Sequence, residues 1–107
     1  MFKFPMIFNV PTTLVANGII RIPMLSEFYI TDVGASLRAL TSGSFTVRAR
    51  NTLTNEILGS VVFTVSGVQE FPGLSIYMAP QDGLSIDVTS IGVGALDCYF
   101  GVWGYIP

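Results

Sequence analysis

Apolar and polar residues alternate along most of this chain. In Ser44–Asn51, Phe45, Val47 and Ala49 take one parity and Thr46, Arg48 and Arg50 the other. Val61, Phe63 and Val65 oppose Val62, Thr64 and Ser66, and the two runs, joined by the polar loop Asn51–Asn55, predict a hairpin pair. Gly59 inside the second run predicts a bulge or bend. Phe28 and Ile30 oppose Tyr29 and Thr31 in a further strand that ends near Gly34. Leu74, Ile76 and Met78 share a face opposite Ser75 and Tyr77. Period-two alternation sets one face of each strand on a core and the other toward solvent.

The most informative stretch is Gly83–Pro107. Leu84, Ile86 and Val88 alternate with Ser85, Asp87 and Thr89, and Ser90–Ala95 is a turn containing Gly92 and Gly94. A second strand follows, with Leu96, Cys98, Phe100 and Val102 inward and Tyr99, Trp103 and Tyr105 on the opposite face. The reading is a closing hairpin. Asn17-Gly18, between Leu14–Ala16 and Ile19–Pro23, is a strong local signal for another hairpin or tight corner. Asp82-Gly83 predicts a turn, and Gly67–Gly73 reads as a loop. Only Ala35–Leu40 has helical propensity, and it is too short for a helix to stand alone.

At the N-terminus Phe2, Phe4, Met6 and Phe8 recur at period two against Lys3, Pro5, Ile7 and Asn9. Pro5 lacks a ladder N–H and confines the segment to an edge or a bulge. Residues 1–11 are therefore an extended arm that packs on another chain, or the edge strand of their own sandwich. Turn signals between short strands, about seven or eight in all, predict an all-β fold. We expect a single domain over 1–107: an antiparallel, jelly-roll-like β-sandwich with an extended N-terminal segment.

Composition changes this picture in one respect. Charged residues are 11% of the chain and hydrophobic residues 50%, against about 25% charged in typical soluble domains. A small domain of that composition leaves apolar side chains at its surface, which marks an interface. The five basic residues are Lys3, Arg21, Arg38, Arg48 and Arg50, and only Arg48 and Arg50 lie close together in sequence. Counterion-release binding needs a denser cluster, so nucleic acid is not expected as a partner. The longest uncharged run, Phe4–Ile20, contains Pro5, Pro11, Asn9, Asn17 and Gly18. It reads neither as a membrane helix nor as a signal peptide.

Candidate chemistry is sparse. The chain has no His and one cysteine, Cys98, whose strand neighbours predict a buried, inert thiol. The acids Glu27, Asp32, Glu56, Glu70, Asp82, Asp87 and Asp97 fall mostly at loop edges or outward positions and read as solvated. Asp87 and Asp97 flank the last turn and would face each other across the expected hairpin, the one arrangement recalling a carboxylate pair. We expect no enzyme activity, no metal site and no cofactor. The candidate interface comprises Phe2, Phe4, Met6 and Phe8 with Tyr99, Trp103 and Tyr105. Such aromatics stack on sugars or bury in protein contacts, where Trp and Tyr are enriched; a protein contact is the preferred reading.

GSFTVRARNTLTNEILGSVVFTVSG followed by LSIYMAPQDGLSIDVTSIGVGALDCYFGVWG resembles small virion proteins of tailed bacteriophages. The likeness covers residues 43–104. It consists of a G-x-hydrophobic-x-V strand at Gly43–Val47, the polar loop Asn51–Asn55, a second strand at Ser60–Val65 and a D-G-L-x-hydrophobic-x-V-T-x-x-G segment at Asp82–Gly92. It implies a structural virion protein, with capsid decoration or cement on the head surface favoured by the short chain and the apolar N-terminal segment. A tail-fibre or receptor-binding subunit and a small carbohydrate-binding module are the alternatives. The implied partners are a second or third copy of the chain and the major capsid protein or another virion protein.

Overall fold

A computed structural model describes residues 2–107; Met1, at the start of the expected arm, lies outside the described residues. The strands are β1 (Phe4–Val10), β2 (Ala16–Pro23), β3 (Phe28–Ala39), β4 (Phe45–Asn51), β5 (Ile57–Phe63), β6 (Gly67–Phe71), β7 (Ile76–Met78), β8 (Gly83–Ser90) and β9 (Leu96–Tyr105). They form two antiparallel sheets. The front sheet runs β1-β9-β3-β6, with β7 also on β3, and the back sheet runs β2-β8-β4-β5. Among the described residues there is no helix.

The pairing is that of one long hairpin rolled up. β4 pairs β5 at the bend, β3 pairs β6 and β7, β2 pairs β8, and β1 pairs β9. Rolling adds the contacts β9–β3 and β8–β4, which is the jelly-roll order. β6 and β7 behave as one edge strand broken at Pro72-Gly73. The break lies beside a bulge in β3, between Ile30 and Asp32, where the Leu74 N–H donates to the Thr31 carbonyl at 2.8 Å. Counting that edge once reconciles the nine segments with the seven or eight expected.

The inward parity of each strand meets in the middle. Phe45, Phe63, Phe100, Ile30, Leu37, Met78, Leu84 and Ile86 are fully buried. Phe45, Val47 and Ala49 face inward as their alternation predicts, and β4 and β5 pair as expected, with the register slipping between Ala49 and Arg50 opposite Leu58-Gly59.

Several expectations are corrected. Gly83–Pro107 is not a hairpin. β8 and β9 lie in different sheets, because the connection through Gly92 (φ +59) crosses the end of the sandwich. Val93 and Ser42 hold that connection against the β3–β4 loop, with N–H to carbonyl bonds in both directions at 2.9 and 3.3 Å. Leu96 is therefore exposed rather than part of the core. Asn17-Gly18 is no turn but a bulge inside β2, where the register against β8 shifts between Ala16 and Ile20; Gly18 uses its left-handed conformation (φ +68) there. Ala35–Ala39 is strand, because pairing on both sides, to β9 and to β6, overrides a weak helical preference. The expected loop at Gly67–Gly73 is largely β6, and Val65, past the end of β5, is exposed.

β1 is the edge strand, not an arm. It pairs with β9 along its whole length, from Phe4 opposite Gly104 to Val10 opposite Cys98. Gly104 is what admits the aromatic rings there. Its missing side chain leaves room for Phe28, whose ring lies 5.4 Å from that of Phe4, and a Cβ on Gly104 would come within 2.7 Å of the Phe28 ring and closer still to the Tyr29 carbonyl. Gly104→Ala is predicted to destabilise the fold by about 1–3 kcal/mol through overpacking, measured as a lower urea midpoint at unchanged slope.

Candidate functional site

The two outer faces differ in chemistry. On the front sheet, β9 turns Tyr99, Gly101, Trp103 and Tyr105 outward, because Cys98, Phe100 and Val102 are committed to the core. β3 adds Tyr29 and β7 adds Tyr77, at register positions beside them: Tyr29 is opposite Tyr105 on one side and Tyr77 on the other. Tyr29 and Tyr105 stack at 5.4 Å with planes 17° apart, and the Tyr29 and Tyr77 rings are 5.1 Å apart. The Tyr77 hydroxyl donates to Glu27 Oε1 at 2.9 Å, which raises the phenol's pKa above its ordinary value.

Beyond this tyrosine row lies a trough. Gly34 and Gly101 sit opposite each other on β3 and β9, so the sheet has no side chains at its centre, and the Trp103 indole lies over the pair. Any side chain on Gly101 would strike that indole. At one end Asp32, Glu70, Pro72 and Trp103 line a cavity of about 290 Å³. The glycine floor continues it as a cavity of about 160 Å³ between Ile7, Tyr99 and Val68. At the far end Ser36, Arg38, Asp97 and Tyr99 line about 480 Å³ more. Asp32 is oriented by the Thr31 hydroxyl at 2.6 Å and paired with Lys3 at 3.6 Å. Glu70 has no ion pair or hydrogen bond among the described residues.

The back sheet's outer face is organised around one carboxylate. Asp87 is completely buried although its parity points outward. Its Oδ1 accepts from the Gly18 N–H (2.7 Å), the Ser85 hydroxyl (2.7 Å) and Arg50 Nη2 (3.3 Å). Its Oδ2 accepts from Arg48 Nε (2.9 Å) and Arg50 Nε (2.8 Å). Burial pushes the carboxyl's pKa up, but the donors from Arg50, Ser85, Gly18 and Arg48 together outweigh it and hold the value far below the ordinary carboxylate range. The expectation of a solvated acid is corrected here, as is the facing pair. Asp97 lies on the front sheet, exposed and paired with Arg38. Among the described residues no group of three or more His, Cys, Asp or Glu side chains is placed to hold a metal ion.

The seven residues expected at an interface divide. Tyr99, Trp103 and Tyr105 share the front face, with Tyr99 47% exposed. Phe4, Met6 and Phe8 point inward and pack, half-buried, on the protein's own core; the outward residues of β1 are Pro5, Ile7 and Asn9, with Ile7 59% exposed. Phe2 precedes β1 and is 85% exposed. The alternation misses Tyr29 and Tyr77 as site residues although both sit out of phase with apolar neighbours. Parity gives their face but not which strands lie beside β9.

No family profile matches the chain, and no curated protein matches it. Among solved structures it is similar to one described as "Bacillus endospore appendages form a novel family of disulfide-linked pili", at 16% identity and a TM-score of 0.49, covering 98% of this chain and 85% of that one.

Two predictions follow from these surroundings. Above the unfolded carboxyl's pKa of about 4, the depressed pKa of Asp87 contributes stability, and that contribution is lost as pH falls below about 4 toward the native value. Asp87→Asn leaves Arg48 and Arg50 without their anion. It should cost about 3–5 kcal/mol at pH 7 and flatten the acid limb of a stability–pH profile from urea titrations. Cys98 is buried, and burial pushes its thiol pKa up to about 12. A thiol reagent at pH 8 should leave the native protein unlabelled and label it fully in denaturant.

Proposed function

We propose that this chain is a self-associating structural protein that clads a tailed-phage virion, on the head rather than the tail, with the outer face of the front sheet as its contact surface. One observation carries the self-association: five aromatic side chains, Tyr29, Tyr77, Tyr99, Trp103 and Tyr105, share one face of a rigid sheet with Ile7. Exposed apolar patches rimmed by polar groups are contact sites, and aromatic anchors dominate the energetics of such contacts. The resemblance of residues 43–104 to virion proteins supports the setting. The mechanism is passive. Covering apolar surface releases about 25 cal/mol per Å², and a protein that binds only the assembled lattice stabilises it by mass action.

A second reading has its own observation. Trp103 lies beside two carboxylates, Asp32 and Glu70, over a side-chain-free floor. An aromatic plane with flanking acceptors suits the apolar face and hydroxyls of a sugar. Light scattering over a concentration series separates the two. The structural reading expects a dimer or larger species that Trp103→Ala weakens by about thirtyfold, the loss of one anchor of about 2 kcal/mol. A monomer at every concentration that binds glycans, and loses them with Trp103→Ala, would overturn it in favour of the sugar.

A further inference from the structure

The charges are segregated between the two faces. The front face carries Glu27, Asp32, Glu70 and Asp97 against Lys3 and Arg38: four acids to two bases. The back face carries Arg21, Arg48 and Arg50 against Asp87 alone: three bases to one acid. Glu56 and Asp82 sit in loops outside both faces. The sandwich is thus negative in front and positive behind, with a small net charge of −2 overall.

The unpaired groups sharpen the asymmetry. In front, Glu70 borders the Trp103 trough and its carboxylate has no partner among the described residues. Behind, Arg48 spends only its Nε on Asp87, leaving its terminal N–H groups free. Arg21 is exposed and lies against Gly18, the residue whose N–H binds Asp87, and makes no ion pair among the described residues. A guanidinium is flat, stacks on an aromatic face and bonds a carboxylate in the same pose. The trough presents that combination: an indole with carboxylates at its side.

We infer that copies of this chain stack front to back, with Arg21 and Arg48 of one copy entering the Trp103 trough of the next and bonding Glu70 and Asp32. The inference rests on the self-association reading above and specifies its geometry. Two front faces brought together would set the excess of acid on acid, and two back faces base on base, and such like-charge contact costs several kcal/mol. Front-to-back contact uses a different surface on each partner. Its products are rings or open stacks rather than closed two-fold dimers.

The test uses Arg21→Glu, Glu70→Lys and the doubly exchanged protein, with folding checked by circular dichroism. Neither side chain makes an ion pair or hydrogen bond within its own fold among the described residues, so both variants should fold. Sedimentation at low salt should show association weakened about tenfold or more by each single change, largely restored in the double exchange, and weakened for the wild type between about 50 and 500 mM salt. Association that Arg21→Glu leaves intact while Trp103→Ala reduces it would overturn the front-to-back geometry and leave self-association standing. A wild-type chain that is monomeric at every concentration and salt would overturn both.

Discussion

The back sheet is held by the charge on Asp87. Its buried carboxylate accepts five hydrogen bonds from β2, β4 and β8, three of the four strands of that sheet. An isolated carboxylate in this position would be too costly to bury. Here every neighbour is shaped to supply it. Gly18 bulges so that its N–H reaches Oδ1, and Arg48 and Arg50 each turn Nε onto Oδ2. Arg50 also reaches Ser85 and Asn55, at 3.2 and 3.0 Å, which ties the β4–β5 loop into the same network. Without the carboxylate, the bulge and the lay of the arginines lose their reason.

The front sheet depends on missing side chains in the same way that the back sheet depends on a charge. Gly101 and Gly104 are three residues apart on β9 and therefore face opposite sides. Gly104 opens the inner side to Phe28 and Phe4, and Gly101 opens the outer side to the Trp103 ring. The rings that seal the core and the ring that roofs the trough are thus seated by one strand. A side chain at either glycine would collide with an aromatic ring, and at Gly104 with the Tyr29 carbonyl as well.

Alternation along the chain made the faces legible. Phe45, Val47 and Ala49 inward, and Tyr99, Trp103 and Tyr105 outward, follow from period two alone, as does the sandwich class. Adjacency was not legible, since parity says nothing about which strand lies beside which. Hence β8 and β9, contiguous in sequence and separated by glycines, read as a hairpin although they belong to different sheets. Asn17-Gly18 has the same local preference for a turn and for a bulge, and the choice was made by Asp87, nearly seventy positions away. Asp87 itself looked solvated because an outward polar residue normally is. Only the convergence of Arg48, Arg50 and Gly18 buries it, and that convergence is tertiary. Ala35–Ala39 shows weak local preference yielding to pairing on both sides.

The rolled pairing also has a temporal side. β9 is the partner of both β1 and β3, and it supplies Tyr99, Trp103 and Tyr105 together with the glycine floor. During synthesis β1 and β3 emerge long before β9 and have no strand between them. The aromatic face and its trough therefore do not exist on a partly made chain, although both strands of the β4–β5 hairpin have already emerged. A nascent chain on the ribosome is thus without that face, which arises in the same step that closes its core.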